Sequence, residues 1–277
     1  MQQKIVLGVI GSPISHSLSP HLHAFLIDKL GLDCYYHAFE VQPENLRAAI
    51  DGTKALGIRG LNVTVPHKQN VMAYLDSIDE AAAKIGAVNT IRFENGRAFG
   101  ANTDAPGFLK NLQFQGVELH GREVFVLGAG GAARAVVYAA KQAGAAAIKI
   151  CNRTPERAQQ LAGDFGAQAV TLREIQALAA GSIAINTTSV GMYPEADASP
   201  LAEKFFRRDL IYIDLVYNPV KTRFLQYAET VGAKTVDGLG MLIFQGAIAL
   251  GFWTGQEIDV EKWYDEVREK IGCKLLG

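Results

Sequence analysis

The residues best equipped for chemistry are polar groups that stand just beyond short runs rich in Val and Ile: Ser17 and Ser19, then Asn62, Thr64 and Lys68, then Asn89, Asn102 and Asp104. They supply hydroxyls, amides, one ammonium and one carboxylate. The sequence shows no nucleophile-His-acid arrangement and no metal-ligand cluster, so no metal is expected. Such a set suits a polyhydroxylated small molecule. His21 and His23 are two apart and point to different helix faces, so they do not form a ligand pair. His16 and His67 adjoin the polar set and are expected to give supporting hydrogen bonds.

A second constellation lies in EVFVLGAGGAARAVVYAA, which reads as strand, tight turn and helix. Gly128, Gly130 and Ala133 have the GxGxxA spacing. Gly128 suits the turn, Gly130 lets backbone approach a pyrophosphate, and Ala133 permits close helix-to-strand packing, with the helix N-terminus facing the anion. The next strand candidate ends Cys151, Asn152, Arg153, Thr154, where an NAD site usually carries an acid for the ribose 2′-hydroxyl. Here a cation, an amide and a hydroxyl stand instead, with Arg157 close behind, a set suited to a 2′-phosphate. The expected cofactor is therefore NADP. A hydride delivered to a ketone builds negative charge on oxygen, so a donor must protonate it and, in reverse, a base must take the proton back. Lys68 can do both. Asp104 would orient Lys68, bond a substrate hydroxyl or share the proton, and the residue types do not divide these roles.

Positioning these groups requires strands alternating with helices, and the chain has that pattern: βα units around mostly parallel sheets, an α/β class. Strands are expected at Ile5 to Ile10, Tyr35 to Phe39, Gly60 to Val65 and Val88 to Phe93. A second series follows at Glu123 to Leu127, Ala147 to Cys151, Ile183 to Asn186 and Ile211 to Val216. The first helix is expected with Ser19 as N-cap, Pro20 in its first position and Gly31 as a left-handed C-terminal residue. Two helical segments, Met241 to Trp253 and Val260 to Ile271, have no strand between them and must return to the first domain. The expected division is residues 1–104 with 241–277 as a substrate-binding domain and residues 105–240 as an NADP-binding domain. Two domains without a long tether imply a ligand cleft between them.

The totals agree with this reading. At 277 residues, 49% hydrophobic and 20% charged, the chain can bury the cores of two domains. Lys and Arg number 27 against 28 Asp and Glu, which leaves no positive surplus for a nucleic-acid partner. Cys34, Cys151 and Cys273 are an odd, scattered set without CxxC, so reduced thiols and a cytoplasmic address are expected. The apolar run in MQQKIVLGVIGSP is too short for a signal peptide, and no run of about 18 apolar residues occurs, so a soluble, unprocessed protein without a membrane partner is expected. A homodimer is compatible with these features.

The strings GSPISHSLSPHLH, NVTVPHK, GAVNT, NTDAPG, GAGGAARA, NRT, NTTSVGM, DLVYNP and DGLGMLIFQGA, in that order over nearly the whole chain, resemble the shikimate dehydrogenase family. The resemblance implies a substrate domain followed by a Rossmann-like NADP domain, with C-terminal helices returning to the first. It also implies NADP-linked, reversible reduction of 3-dehydroshikimate to shikimate in aromatic amino-acid biosynthesis. By resemblance Lys68 and Asp104 are the catalytic pair, Ser17 and Ser19 bind the substrate carboxylate, and Thr64, Asn89, Asp104, Tyr217 and Gln245 contact its ring hydroxyls or carboxylate. Gly130, Gly131 and Ala132 are implied at the pyrophosphate, behind the Gly128 turn. Asn152, Arg153, Thr154 and Arg157 are implied at the adenosine phosphate, and Thr187, Ser189, Met192, Val216 and Gly238 near the ribose and nicotinamide. Ala24 stands where many members have Asn, which touches a helix contact and not the chemistry.

Plainer roles stand beside these. Ser19 would serve as a cap, Ser17 as a turn residue, Lys68 as a solvated helix start, Asp104 as a carboxylate at a helix N-terminus, Asn62 and Asn89 as strand-end braces, and Tyr217 and Gln245 as packing. Other functions compatible with the residues are a quinate/shikimate dehydrogenase of broader NAD/NADP use and a non-catalytic NADP-binding sensor; the presence of both Lys68 and Asp104 argues against the sensor. Charge-assisted hydrogen bonds are worth about 1.5–3 kcal/mol each. Arg153→Ala is accordingly expected to raise the Michaelis constant for NADP at least about tenfold; an unchanged constant would assign Arg153 to a solvated helix start.

Overall fold

The Val- and Ile-rich runs form strands and the segments between them helices in a computed structural model that describes residues 4–272. The chain divides into two compact units, one built on Met1–Gly107 with Ile243–Ile271 and the other on Phe108–Leu242.

In the first unit β1 (Ile5–Gly11), α1 (Ser19–Lys29), β2 (Cys34–Glu40), α2 (Leu46–Leu56) and β3 (Gly60–Val63) form a parallel βαβαβ run. Then come β4 (Ser77–Ile78), α3 (Glu80–Ile85), β5 (Thr90–Glu94), β6 (Arg97–Ala101) and the start of α4 (Asp104–Phe114). The sheet order is β2-β1-β3-β5-β6-β4. The sheet is parallel at β1-β2, β1-β3 and β4-β6, but β5 pairs antiparallel with both β3 and β6. The β5-β6 pairing is closed by the Asn95-Gly96 turn, whose φ values of 51° and 72° are those of a two-residue hairpin loop. That dipeptide marks a hairpin in the sequence, yet β6 was not among the expected strands. Buried Leu46, Ile50, Leu61, Val63, Val71, Val88 and Ile91 form the core on one side of this sheet.

Helix α1 differs from expectation at its start. Ser19 is its first residue and not its N-cap; Leu18 occupies the cap position, and the Ser19 amide donates to the Ser17 hydroxyl at 3.3 Å. The turn closed by Ser17 N–H on the Ile14 carbonyl brings the chain in already helical. At the other end Gly31 adopts φ +61°, as the C-terminal glycine rule requires.

The second unit contains β7 (Glu123–Leu127), α5 (Gly131–Gln142), β8 (Ala147–Cys151), α6 (Pro155–Phe165), β9 (Gln168–Ala169), β10 (Ile183–Asn186), β11 (Ile211–Asp214), α7 (Arg223–Thr230) and β12 (Lys234–Val236). Every pairing is parallel, in the order β12-β11-β10-β7-β8-β9. Counted from β7 this is the 3-2-1-4-5-6 doubly wound order, with its switch point between β7 and β10. Ala133, Ala135, Ala139 and Ala140 are fully buried, so α5 lies close on the strands.

Helix α8 (Gly238–Thr254) is apolar around its whole circumference, as a helix buried on all sides must be. From Ile243 onward it belongs to the first unit, as does α9 (Tyr264–Gly272) through Ile271. There Gly246 faces Leu22 of α1, Gly107 of α4 faces Gln245, and Trp253 donates its indole N–H to the Ile91 carbonyl of β5 at 2.9 Å. Gly60 of β3 lies flat under that indole. A Cβ at Gly60 would overlap the ring, coming within 2.6 Å of Cε2. Gly60→Ala is expected to cost about 1–3 kcal/mol through overpacking, lowering the thermal midpoint by at least about 2 °C; an unchanged midpoint would mean that Trp253 is free to shift.

Candidate active site

Parallel strands expose their carboxyl ends on one edge, and in the first unit the polar residues gather there. β3 delivers Asn62, the turn beyond it Thr64 and Lys68, β5 begins just after Asn89, and β6 leads through Asn102 and Thr103 to Asp104, the first residue of α4. The Lys68 ammonium donates to Asp104 Oδ2 at 2.6 Å, with side-chain exposures of 16% and 7%. Asn89 Nδ2 donates to the other oxygen, Oδ1, at 2.9 Å. A carboxylate at the first turn of a helix also gains from the helix dipole, and the Asn102 side chain accepts the Ala105 amide at 3.2 Å to fix that turn.

Asn89 is itself held on every side. Its Oδ1 accepts Thr103 N–H at 2.7 Å and the Thr90 hydroxyl at 3.2 Å, and its second amide proton goes to Thr103 Oγ1 at 2.9 Å. Gln245 Oε1 of α8 lies 3.4 Å from the same nitrogen. Asn62, expected either to bond ligand or to brace the strand end, donates to the Asn89 carbonyl and to Thr90 Oγ1, while Tyr36 donates to its Oδ1 at 2.7 Å. Tyr36 stacks on the buried His23 ring at 4.0 Å. Burial pushes that imidazole down to about 3 against the pull of Asn62, so it stays neutral. His67 bonds the Val41 carbonyl through Nε2 at 2.7 Å.

Thr64 and Ser17 lie in loops tied together: Ser12 N–H bonds the Val65 carbonyl at 3.0 Å, and Gly11 sits so close to the Thr64 methyl group that a Cβ there would overlap it. Ser19 is buried and Ser17 and Thr64 are half-buried. The structure thus joins Lys68, Asp104, Asn89 and Gln245 into one cluster. Thr90 and Thr103, which complete it, were not singled out from sequence.

In the second unit the glycine loop has the anion-binding form. Gly128 holds φ +117° and donates to the Cys151 carbonyl at 2.8 Å, and a Cβ on it would meet Thr187 Oγ1 at 2.5 Å. Gly130 caps α5 without a side-chain bond, and a Cβ on it would meet nothing within 4 Å. The first N–H groups of α5, from Gly131 and Ala132, have no partner within the helix and no side-chain cap, which fits a pyrophosphate. Past β8, Asn152 donates to the Thr154 carbonyl at 2.9 Å. Arg153 and Arg157 are exposed and, among the described residues, neither forms an ion pair within 4 Å, so both guanidiniums fit a phosphate. Gly238, at the start of α8, is pressed against the Leu215 and Val216 carbonyls, where a Cβ would lie 2.5 and 2.7 Å away. Ser189 and Met192 are exposed, Thr187 and Tyr217 half-buried and Val216 buried, all in the loops after β10 and β11.

Those loops are organised by Asp214, which was not among the expected site residues. Asn186 and Asp214 are register partners at the ends of β10 and β11, and both are fully buried. Asp214 Oδ1 accepts Asn186 Nδ2 and Val216 N–H, each at 2.9 Å, and Oδ2 accepts the Thr222 hydroxyl at 2.6 Å. A polar residue closing each of two adjacent apolar strands was the available sequence signal. Burial, with a smaller push from the Asp237 carboxylate, moves the Asp214 carboxyl up to about 7 against these three donors.

The chain matches family models described as shikimate dehydrogenase substrate binding domain over residues 9–91, shikimate / quinate 5-dehydrogenase over 110–232, and shikimate 5'-dehydrogenase C-terminal domain over 238–268. It is 43% identical to the shikimate dehydrogenase (NADP(+)) of Moorella thermoacetica, over 98% of this chain and 95% of that one. Among solved structures, the shikimate 5-dehydrogenase of Thermus thermophilus in complex with NADP(H) and shikimate superposes with a TM-score of 0.88 at 41% identity, over 96% of this chain and 99% of that one. The Listeria monocytogenes enzyme, in complex with shikimate and NAD, gives a TM-score of 0.85 at 35% identity, over 97% and 96%.

Between the ordinary aspartate value of 3.8 and about 7, Asp214 keeps its proton only when folded. The folded state then binds more protons than the unfolded one, so this residue's contribution to stability is largest at low pH, falls as pH rises through that window and is level above it. Asp214→Asn cannot titrate there. Its thermal midpoint is expected to gain on that of the parent steadily from about pH 4 to pH 7, and a constant difference across that range would place the Asp214 proton elsewhere.

Proposed function

The chain belongs to the shikimate dehydrogenase family, and from that premise we propose that Lys68 and Asp104 are its catalytic pair in the NADP-dependent, reversible reduction of 3-dehydroshikimate to shikimate, a step of aromatic amino-acid biosynthesis by way of chorismate. The observation that carries the pairing is the 2.6 Å bond between the Lys68 ammonium and a carboxylate whose other oxygen is held by Asn89. NADPH, when bound, supplies the hydride. As the ketone oxygen gains charge, Lys68 gives it a proton from Nζ; in the oxidative direction the same nitrogen takes the hydroxyl proton. An ammonium has three N–H donors, so the bond to Asp104 leaves capacity for a substrate oxygen. Asp104 aims Lys68 and offers carboxylate lone pairs to a ring hydroxyl.

Ser17 and Ser19 take the substrate carboxylate, and Thr64, Gln245 and Tyr217 take its hydroxyls or carboxylate. Asn89 acts chiefly through Asp104, because its amide protons are already engaged there and at Thr103. In the second unit the Gly128 turn, Gly130, Gly131 and Ala132 hold the pyrophosphate. Asn152, Arg153, Thr154 and Arg157 hold the 2′-phosphate, and Thr187, Ser189, Met192, Val216 and Gly238 lie along the ribose and nicotinamide. Among the described residues no helix is long and apolar enough to cross a membrane. Cys34 and Cys151 are free thiols, which supports a cytoplasmic address, while Cys273 lies outside the described residues.

Absorbance at 340 nm with shikimate, run in parallel with NADP and NAD and repeated with quinate, tests the reading; faster turnover of quinate with NAD would favour the broader quinate/shikimate activity. Lys68→Ala is expected to lower kcat by about 10²–10⁴-fold while shikimate binding stays within severalfold. A variant that keeps a tenth of the parent's kcat would remove Lys68 from the proton transfer.

A further inference from the structure

Two loops follow the carboxyl ends of β10 and β11. The first, after Asn186, carries Thr187, Ser189 and Met192; the second, after Asp214, carries Val216 and Tyr217. Neither is regular structure, so something other than a ladder of hydrogen bonds must hold their backbones. Asn186 Oδ1 accepts both the amide and the hydroxyl of Thr188, at 3.0 and 2.7 Å, its Nδ2 donates to the Val190 carbonyl at 3.2 Å, and Val190 N–H returns to Thr188 Oγ1 at 3.1 Å. The same Nδ2 donates to Asp214. Asp214 in turn fixes Val216 N–H and, through Thr222, the N-terminus of α7, where the Thr222 hydroxyl also accepts Leu225 N–H at 3.3 Å. The loops are stitched further by Leu215 N–H on the Asn186 carbonyl and Tyr193 N–H on the Asn218 carbonyl, both at 2.9 Å.

We propose that Asp214 is a positioning residue that, acting through Asn186 and Thr222, sets both loops as one piece, so that the groups meeting the nicotinamide end of NADP and the tyrosine meeting substrate are aligned by one buried carboxylate. The proposal rests on the roles assigned above to Thr187, Ser189, Met192 and Tyr217. Asp214 touches neither ligand. With Asn186, Asp214 and Thr222 all fully buried, the brace has no water to replace a missing partner. Its two arms are separable: Thr188 serves only the first loop, whereas Asp214 serves both.

The test compares Asp214→Ala, Asp214→Asn and Thr188→Val by steady-state kinetics, with NADP binding to each purified protein measured separately by calorimetric titration. Asp214→Ala, which removes three buried hydrogen bonds, is expected to raise the Michaelis constants for both NADP and shikimate at least about tenfold. Thr188→Val is expected to raise only that for NADP. Asp214→Asn keeps an oxygen for Asn186 and Val216 and an amide for Thr222 Oγ1, and is expected to hold both constants within about threefold of the parent. A general loss of stability would not split the two constants in this way. If Asp214→Ala does not fold, Thr188→Val on its half-buried loop decides, and an unchanged NADP constant there overturns the proposal. Folded variants that bind both ligands as the parent does, or an Asp214→Asn as impaired as Asp214→Ala, overturn it while leaving the functional reading intact. A parent that takes up no NADP in the titration sinks that reading and this proposal together.

Discussion

A carboxylate taken out of water has to be given hydrogen-bond donors, and the first unit is arranged around giving them to Asp104. Desolvating an ion costs several kcal/mol, recovered only when geometry is good and every lone pair finds a partner. Lys68 comes from the turn beyond β3, Asn89 from the entry to β5, and the helix dipole from α4. Each of those donors has to be held in turn, which explains the depth of the network behind it. Asn89 is fixed by Thr90 and Thr103, Asn62 is fixed by Tyr36, and α8 closes the cluster with Gln245. A network satisfied at every member is rigid; one left half-satisfied would cost more than an apolar core.

The second unit leaves side chains out at the ends of its strands, an arrangement that suits close approach of backbone to a phosphate-bearing ligand. Gly128 cannot carry a Cβ because Thr187 occupies its place, and Gly238 cannot because the chain after β11 does. Gly130 is different: a Cβ there would meet nothing within 4 Å, and the α5 that follows it has no side-chain cap. Strand order supplies the rest. Only where the winding reverses, between β7 and β10, do the connections on either side diverge and leave a crevice.

Much of this is legible in the sequence. The expected bounds of β7, β8 and β10 coincide with the observed ones, because buried parallel strands are nearly continuous apolar runs that Gly or Asn ends abruptly. The short edge strands β4, β9 and β12 left no such run. The β5-β6 hairpin lies outside the expected strands although Asn95-Gly96 announces it, because a helical connection is expected between strands. At the site, Lys68 and Asp104 were legible because their charges stand out among amides and hydroxyls. That Asn89 spends its protons on Asp104 and Thr103 was not, because an amide's partners depend on which chain segments fold beside it. Ser19 shows the same limit: its type suits a cap, but the turn before it places Leu18 there instead.

Asp104 and Asp214 share a residue type and a place at or just beyond the carboxyl end of a strand, and their partners separate what they do. Asp104 faces a full positive charge on a flexible stem, and both members of the pair keep some exposure, 16% for Lys68 and 7% for Asp104, so an incoming hydroxyl can join the arrangement without dismantling it. Asp214 takes its hydrogen bonds only from neutral donors, has no exposure and has already committed both oxygens to three segments of chain. Neutral donors offset only part of the desolvation, and the Asp237 carboxylate adds a smaller push, which is why its carboxyl is pushed up to about 7. A group so enclosed cannot exchange partners with a ligand. What it can do is make the positions of its three partners depend on one another, and in a site built from loops that dependence keeps separate residues in register.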